Sequence, residues 1–245
     1  MNYNVEHCKP FKSKNNIWMK LEHVGRYIFA KDFLEDKRVN KLADVACGDG
    51  YGSNILSHIS KHVFSIDRNF TYFNKEYLKN KKIFFQKLNL NDECEYEKIS
   101  NQDAVVCFET LEHLEKPKMF LSKIYELLNE NGWFILSFPN MRFERFDENG
   151  NNKDIFHLHV FEKEKLEKNL KEIGFKVEAV LGQELCNEMC SANSRLVKNK
   201  TLSQKNIDAC FNYDETSIMT LARLFAYPNE KDIEESYSFI YLLQK

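Results

Sequence analysis

The 245-residue sequence lacks any long apolar run, and we expect no signal peptide. No stretch approaches the roughly 18 apolar residues that a membrane span requires. The seven cysteines include no CxxC pair, and Cys186 and Cys190 have no second Cys/His pair at metal spacing, which argues against a zinc site there. The sequence therefore predicts a reduced protein of the cytoplasm with no membrane span.

The sequence also has no excess of basic over acidic residues. The 35 Lys and Arg residues are balanced by 37 Asp and Glu residues, for a net charge of −2. A nucleic-acid-binding domain normally carries a clear basic footprint. We therefore expect a small-molecule substrate and no nucleic-acid partner.

Glycine is scarce, with eight residues in all, yet three of them fall in one short stretch. The apolar run 42–47 leads directly into Gly48, Gly50 and Gly52, and an amphipathic segment containing Ile55 and Leu56 follows. A buried strand, a tight turn and a helix start in this order allow the backbone to approach a nucleotide closely. This stretch is the first candidate binding site.

Strand-like and helix-like segments alternate along the chain. Helical spacing predicts helices over 16–35, from the glycine turn to 61, over 69–79 and 117–128, and from about 161 to a C-cap at Gly174. Strands are predicted over 41–47, 62–67, 83–88, 103–108, 132–138, 175–181 and 236–243. Such alternation predicts an α/β fold with a parallel sheet and right-handed crossovers.

The charge of the glycine turn indicates which nucleotide it binds. Asp67 follows Gly48 by nineteen residues at the end of the second strand, where a carboxylate can accept both ribose hydroxyls or cap a helix. The turn contains Asp44 and Asp49 but no Lys or Arg, which disfavours a pyrophosphate and suits a cation. Ser53 also replaces the third glycine of GxGxxG. These features favour S-adenosylmethionine, which carries a sulfonium and no phosphate, over a dinucleotide.

Four motifs resemble those of the class I S-adenosylmethionine-dependent methyltransferases, over about residues 20–182. They are Asp44–Gly52, Ser65–Asp67, Asp103 through Phe108 to Leu114, and Asn131–Asn140. The resemblance implies a Rossmann-like fold with a mostly parallel seven-stranded sheet, flanking helices and an insertion before the last strand. We expect one domain over 1–245, with a helical cap (1–40), a core (41–183), an insertion forming a lid or dimer surface (184–235) and a last strand (236–245). A homodimer is one expected assembly.

The resemblance also implies roles for individual residues in cofactor binding. The Ala46 backbone, Gly48 and Gly50 would hold the methionine part, and Asp67 would bind the ribose. Asn89 stands where the family usually places an acid for the adenine, while Phe108 would contact the cofactor or belong to the core. The full predicted cofactor set is Arg26, Tyr27, Asp44, Ala46, Gly48, Asp49, Gly50, Asp67, Asn89, Leu90 and Phe108.

Candidates for the chemistry follow the fourth and fifth strands. Glu109 and His113 come after the fourth strand, whose carboxyl end faces the transferred methyl in this fold. His157 and His159 follow the fifth strand, and with Asp154 nearby they could form a base, a small metal site or a structural feature. No metal is assigned. The predicted catalytic set is Glu109, His113, His157 and His159.

Finer features resemble methyltransferases found with bacterial surface-glycan genes. They include the Glu-His-x-x-Arg-Tyr segment of the first helix, Cys47–Ser53, Phe108–Leu114, Ser137–Asn140 and Gly182-Gln183. We expect O-methylation of a small sugar, nucleotide-linked or phosphate-containing precursor of a surface polysaccharide such as a capsule. The alternatives are a small-metabolite, quinone or lipid methyltransferase, and a non-catalytic adenosylmethionine-binding regulatory subunit.

Overall fold

Seven strands form one sheet in the computed structural model, which describes residues 9–11, 17–99, 101–183 and 213–245. The strands are β1 (Lys41–Val45), β2 (His62–Asp67), β3 (Ile83–Lys87), β4 (Gln102–Phe108), β5 (Leu128–Pro139), β6 (Lys176–Gln183) and β7 (Ser238–Gln244). Their order is β3-β2-β1-β4-β5-β7-β6, and only β7 runs antiparallel to its neighbours. The predicted Rossmann-like α/β fold, with all seven strands, is confirmed.

Helices cover both faces of this sheet. They are α1 (Ile17–Leu34), α2 (Tyr51–Leu56), α3 (Pro117–Leu127), α4 (Lys163–Ile173) and α5 (Glu215–Phe225). Helices α1, α2 and α5 pack on one face, and α3 and α4 pack on the other. Gly174, with φ of 121°, ends α4 as the sequence predicts.

The core has two layers because the central strands are buried on both faces. Along β1, Leu42 contributes to the layer beneath α1, while Ala43 and Val45 contribute to the layer beneath α3. Strand β4 alternates in the same way, with Val106 on the first side and Cys107 on the second. Both layers lie below the carboxyl ends of the strands, where the glycine turn begins.

Three predicted elements differ from the structure. The helix expected over 69–79 is wrong: two short 3-10 helices, Phe70–Tyr72 and Lys75–Lys79, take its place. Asn69 and Asn74 each accept a hydrogen bond from the backbone two residues later, a local bond that competes with a continuous helix. The helix after the glycine turn ends at Leu56 instead of about 61, and β5 begins at Leu128 instead of 132.

Residues 184–212 of the predicted insertion lie outside the described residues. The remainder, 213–235, contains α5, which packs against α1. Asp32 of α1 accepts hydrogen bonds from Arg223 and from the Tyr227 hydroxyl. No helix among the described residues is long and apolar enough to span a membrane.

Candidate functional site

The glycine turn between β1 and α2 adopts backbone conformations that few side chains tolerate. Gly48 and Gly50 have φ of 55° and 86°, and Ala46 has φ of 59°. A β-carbon at Gly50 would lie 2.3 Å from the Phe73 ring, and one at Gly52 would lie 2.1 Å from the Tyr27 ring. Glycine is therefore required at Gly50 for both backbone conformation and space, and at Gly52 for space.

Asp67 joins the end of β2 to this turn. Its Oδ2 accepts a hydrogen bond from the Gly48 amide at 3.0 Å, and its Oδ1 accepts one from the Asn69 amide at 3.0 Å. A carboxylate oxygen has more than one lone pair, so both oxygens retain acceptor capacity toward the pocket. The nineteen-residue spacing noted in the sequence thus brings Asp67 and Gly48 into direct contact.

Asp44 lies beneath the turn and does not line the pocket. It is fully buried and accepts hydrogen bonds from the Tyr27 hydroxyl at 2.9 Å and from Ser53 Oγ at 2.6 Å. Burial raises its pKa to about 7, although these hydrogen bonds act in the opposite direction. Asp44 therefore stabilises the turn through its hydrogen bonds to Tyr27 and Ser53.

Asp49 is also buried, and its Oδ1 accepts a hydrogen bond from the Tyr51 amide at 3.2 Å. Its backbone carbonyl accepts one from the Asn74 amide at 2.9 Å, which ties the turn to the segment after β2. Neither Asp49 nor Gly50 belongs to the pocket wall. The two turn acids, Asp44 and Asp49, were predicted to contact the cofactor; both lie outside the cleft wall and bond to the protein.

A cleft of about 210 Å³ opens at the carboxyl ends of β1, β2, β3 and β4. Its wall combines turn backbone, one face of α1 and the residues that follow β2, β3 and β4. The lining residues are His23, Tyr27, Ala46, Cys47, Gly48, Tyr51, Asp67, Arg68, Asn89, Leu90, Asn91, Phe108, Glu109, Thr110, His113 and Leu114. This is the position at which open α/β sheets bind their ligands.

The structure brings most of the predicted site residues to this cleft. Those in the wall are Tyr27, Ala46, Gly48, Asp67, Asn89, Leu90, Phe108, Glu109 and His113. Those outside it are Arg26, Asp44, Asp49, Gly50, His157 and His159. The ring of Phe108 packs edge-on against Tyr27 at 5.0 Å between centroids, so it serves the core and the wall together.

The segment after β3 supplies the far end of the cleft. Leu90 is buried beside Asn89, whose Oδ1 accepts a hydrogen bond from the Asn91 amide. Asp92, three residues after Asn89, accepts a hydrogen bond from the Cys94 amide, caps the 3-10 helix Glu93–Lys98 and lies outside the cleft wall.

Arg26 lies behind the wall and contacts Glu109 instead of the open cleft. Its Nη2 is 3.7 Å from Glu109 Oε2, and its Nε donates to Gln183 Oε1 at 2.6 Å. Glu109 also accepts hydrogen bonds from Ser137 Oγ and Ser238 Oγ. With these partners Glu109 is held as an ion-paired carboxylate, and its φ of 44° marks backbone strain at the cleft edge.

His23 was missed as a wall residue by the sequence analysis. Burial, together with the charge of Arg26, lowers its pKa to about 3, so it lines the cleft as a neutral imidazole. Its Nδ1 lies 3.4 Å from the Tyr51 hydroxyl. The available signal was its position four residues before Tyr27, which places both on one face of α1.

Two of the three predicted catalytic histidines, His113 and His157, lie together. His113 lines the cleft, and its Nδ1 is 2.9 Å from the Phe156 carbonyl. The His157 ring lies 5.0 Å from the His113 ring, whereas the His159 ring packs near Phe161. Of the two histidines after β5, which were predicted to form a base, a small metal site or a structural feature, His157 contacts Glu144 and His113.

Arg142 and Arg145 belong to the polar segment that follows β5. Arg142 is exposed and forms an ion pair with Glu235. Neither arginine lines the cleft.

Comparison with known proteins matches these features. A family model described as a methyltransferase domain matches residues 21–180. A protein of Mycolicibacterium smegmatis, named a probable S-adenosylmethionine-dependent methyltransferase, is 25% identical over 182 residues, which are 72% of this chain and 66% of that protein. The chain thus spans about two thirds of the length of this relative.

Solved structures share the fold. An S-adenosylmethionine-dependent methyltransferase of Archaeoglobus fulgidus superposes with a TM-score of 0.57 at 17% identity, covering 91% of this chain and 94% of that one. Phosphoethanolamine N-methyltransferase 2 of Haemonchus contortus, in complex with S-adenosyl-L-methionine, gives a TM-score of 0.56 at 17% identity, with 90% and 52% covered.

The fold and the cleft define a Rossmann-like methyltransferase of class I. The chain belongs to the family of methyltransferase domains, since the family model covers more than half of it. It is an S-adenosylmethionine-dependent methyltransferase, and S-adenosylmethionine is its cofactor.

Proposed function

We propose that this methyltransferase acts on an oxygen of a small polar acceptor, a sugar, nucleotide-linked or phosphate-containing precursor of a bacterial surface polysaccharide. The observation that carries the proposal is the wall after β4, where Glu109, Thr110 and His113 line the cleft together. The family resemblance implies that this edge faces the transferred methyl, and these three polar side chains suit an acceptor that carries hydroxyl groups.

For the cofactor we propose that the backbone of Ala46 and Gly48 holds the methionine part and that Asp67 accepts the ribose hydroxyls. Asn89 and Leu90 would bound the adenine, with Tyr27 and Phe108 closing the cleft from the side of α1. The supporting observation is that all six line the same cleft. Asp44, Asp49 and Gly50 support the turn, and Arg26 positions Glu109.

Methyl transfer from a sulfonium is an in-line displacement with an activated donor, so alignment is the main task of the protein. The acceptor oxygen bonds to the methyl carbon as the carbon–sulfur bond breaks, and the sulfur leaves as a neutral thioether. His113 is the proposed general base, because its Nδ1 faces the Phe156 carbonyl and its Nε2 then carries the free lone pair.

The second candidate function is methylation of a small metabolite, a quinone or a lipid. An apolar acceptor would favour a wall of apolar side chains, and the β4 edge of the cleft combines two of these, Phe108 and Leu114, with the polar Glu109, Thr110 and His113. The reducing cytoplasm is the proposed location, and the free thiols of Cys47, Cys94 and Cys107 agree with it.

Labelled adenosylmethionine offered with separate pools of nucleotide-linked sugars, sugar phosphates, quinones and phospholipids tests the proposal. Label in a sugar-containing product is the expected result, and label in the quinone or lipid pool alone would contradict it. Calorimetric binding of adenosylhomocysteine without turnover on any pool would favour the non-catalytic subunit instead.

A further inference from the structure

Three metal-ligating side chains meet beside the cleft, and Glu112 and His157 among them have no role in the proposed methyl transfer. Glu112, His113 and His157 each offer one ligand atom, and the three atoms all lie within 4.8 Å of one another. The carboxylate Oε1 of Glu112 is 3.7 Å from Nε2 of His113. Two ligand atoms that each bind one tetrahedral ion at about 2.1 Å lie about 3.4 Å apart. A small movement of the three side chains would therefore bring their ligand atoms within binding distance of a single ion.

The hydrogen bonds at Nδ1 of both histidines leave Nε2 of each ring available to bind a metal. Nδ1 of His113 lies 2.9 Å from the Phe156 carbonyl, which can only accept, so the proton resides on Nδ1 and the lone pair on Nε2. Nδ1 of His157 lies 2.8 Å from a carboxylate oxygen of Glu144, which leaves Nε2 of His157 available in the same way. Histidine ligands of metals nearly always donate their second nitrogen to a carbonyl or a carboxylate.

The third group is a buried carboxyl with an unused oxygen. Glu112 is 2% exposed, and its Oε2 has no hydrogen-bond partner among the described residues. A buried polar atom of this kind needs a partner, and a cation held between the carboxylate and the two imidazoles would supply it.

The charges around the cluster also favour a cation. The carboxylates of Glu109, Glu144 and Asp154 lie close to it, and Asp154 Oδ2 is 3.8 Å from Nε2 of His157. The charge of Arg26 also acts on Glu112; its Nε donates to Gln183 and its Nη2 pairs with Glu109, while its Nη1 has no hydrogen-bond partner among the described residues. The histidine side chains are 26% and 15% exposed, so an ion can enter from solvent.

We propose that Glu112, His113 and His157 bind one divalent first-row transition-metal cation, with Zn²⁺ as the best-matched ion. Two imidazoles and one carboxylate are a ligand set of zinc sites that keep an open position. Imidazole ligands select such ions over Mg²⁺ and Ca²⁺, which prefer oxygen. Glu144 acts as a positioning residue that fixes the His157 ring.

The cation would adjoin the acceptor, because His113 belongs both to the cluster and to the cleft wall. In this step, which rests on the proposed function, an acceptor hydroxyl takes the open position and loses its proton to solvent near neutral pH. Its oxygen then bonds to the methyl carbon as the carbon–sulfur bond breaks. His113 in that case serves as a ligand in place of a base.

Zinc binding to the full chain tests the site without any assay of methylation. Metal-stripped protein is titrated with Zn²⁺ against a chromophoric chelator, and bound metal is counted by elemental analysis after gel filtration. We expect one Zn²⁺ per chain. The variants Glu112→Gln and His157→Gln should weaken binding at least 100-fold, and Glu144→Gln should weaken it about 10–100-fold.

His159→Gln is the matched control, because it removes a neighbouring imidazole that lies outside the cluster. It should bind zinc like the unmodified protein, and all variants should still bind adenosylhomocysteine, which reports a folded cleft. No stoichiometric zinc, or equal losses in His159→Gln and His157→Gln, would overturn the proposal. Zinc binding without any methylated product would leave the metal site standing and count against the proposed acceptor.

Discussion

The guanidinium of Arg26 lies 3.7 Å from the carboxylate of Glu109 and joins the first helix to the edge of the cleft. The same arginine bonds Gln183 of β6 and Ser238 of β7, so one side chain connects α1 with the ends of three strands. From the sequence alone, Glu109 is a candidate catalytic residue and Arg26 a candidate cofactor contact. Their pairing makes Glu109 a fixed carboxylate in the wall.

Replacing Arg26 with Met should destabilise the protein strongly. The change leaves Glu109, a half-buried carboxylate, without its counter-charge, and breaking a buried ion pair in this way costs about 3–5 kcal/mol. Urea denaturation measures the loss in free energy of unfolding. Arg223→Met, which breaks the exposed pair with Asp32, is the control and should cost about 0–1 kcal/mol. Similar losses in both variants would contradict a special role for Arg26.

Asp67→Asn should weaken the binding of adenosylhomocysteine about 10–100-fold. The amide keeps one acceptor oxygen but loses the charge, and hydrogen bonds to a charged group contribute about 1.5–3 kcal/mol. Calorimetry measures the affinity. Asp103→Asn is the control, because Asp103 also accepts two backbone amides, those of Asn40 and Lys41, but lies at the opposite end of the sheet. If Asp103→Asn weakens binding equally, the effect comes from stability and not from contact.

Gly50→Ala should both destabilise the protein and impair cofactor binding. A residue other than glycine at φ of 86° costs about 1–2 kcal/mol, and the new methyl group would meet the Phe73 ring at 2.3 Å. Gly150→Ala separates the cost of the backbone conformation from the cost of the clash with Phe73. Gly150 has a similar φ of 81° but nothing within 4 Å of an added β-carbon. Thermal unfolding of both variants should show the larger loss for Gly50→Ala. Equal losses would show that Phe73 moves aside without cost.

The stability of the protein should fall between about pH 4 and pH 7 in part because of Asp44. Its pKa is about 7 in the folded chain and about 3.9 when unfolded, so the folded state retains a proton that the unfolded chain has released. The free energy of unfolding therefore decreases as the pH rises through this interval, and the penalty is complete above pH 7. Glu22, whose pKa burial also raises to about 7, adds a parallel slope.

Asp44→Asn should flatten this slope, because the amide carries no charge to desolvate. Urea unfolding at a series of pH values between 5 and 8 measures the effect. Asp36→Asn is the control, because Asp36 is exposed. A slope unchanged by Asp44→Asn would show that Asp44 is ionised throughout this range.

The strands and the cofactor cradle could be predicted because their signals are local. The apolar run before Gly48 and the strand that ends at Asp67 are each recognisable from a few neighbouring residues. A parallel sheet then brings the ends of these two strands together. The helix predicted over 69–79 is wrong for a reason that is also local. Its apolar and polar residues have helical spacing, but Asn69 and Asn74 bond their own backbone and divide it.

The side-chain pairings of the site could not be predicted, because they join distant parts of the chain. Arg26 and Gln183 are 157 positions apart, and no periodicity connects them. His157 and His159 look equivalent in the sequence, since both follow the same loop. Only the tertiary fold turns His157 toward Glu144 and His113 and leaves His159 beside Phe161.

Strand β7 is the late partner in the sheet, since it fills the space between β5 and β6 from the C-terminal end of the chain. Until it is synthesised, the edge of β5 is unpaired and Ser238 cannot reach Arg26 or Glu109. Loss of β7 would therefore leave the edge of β5 without a partner and Glu109 without the hydrogen bond from Ser238.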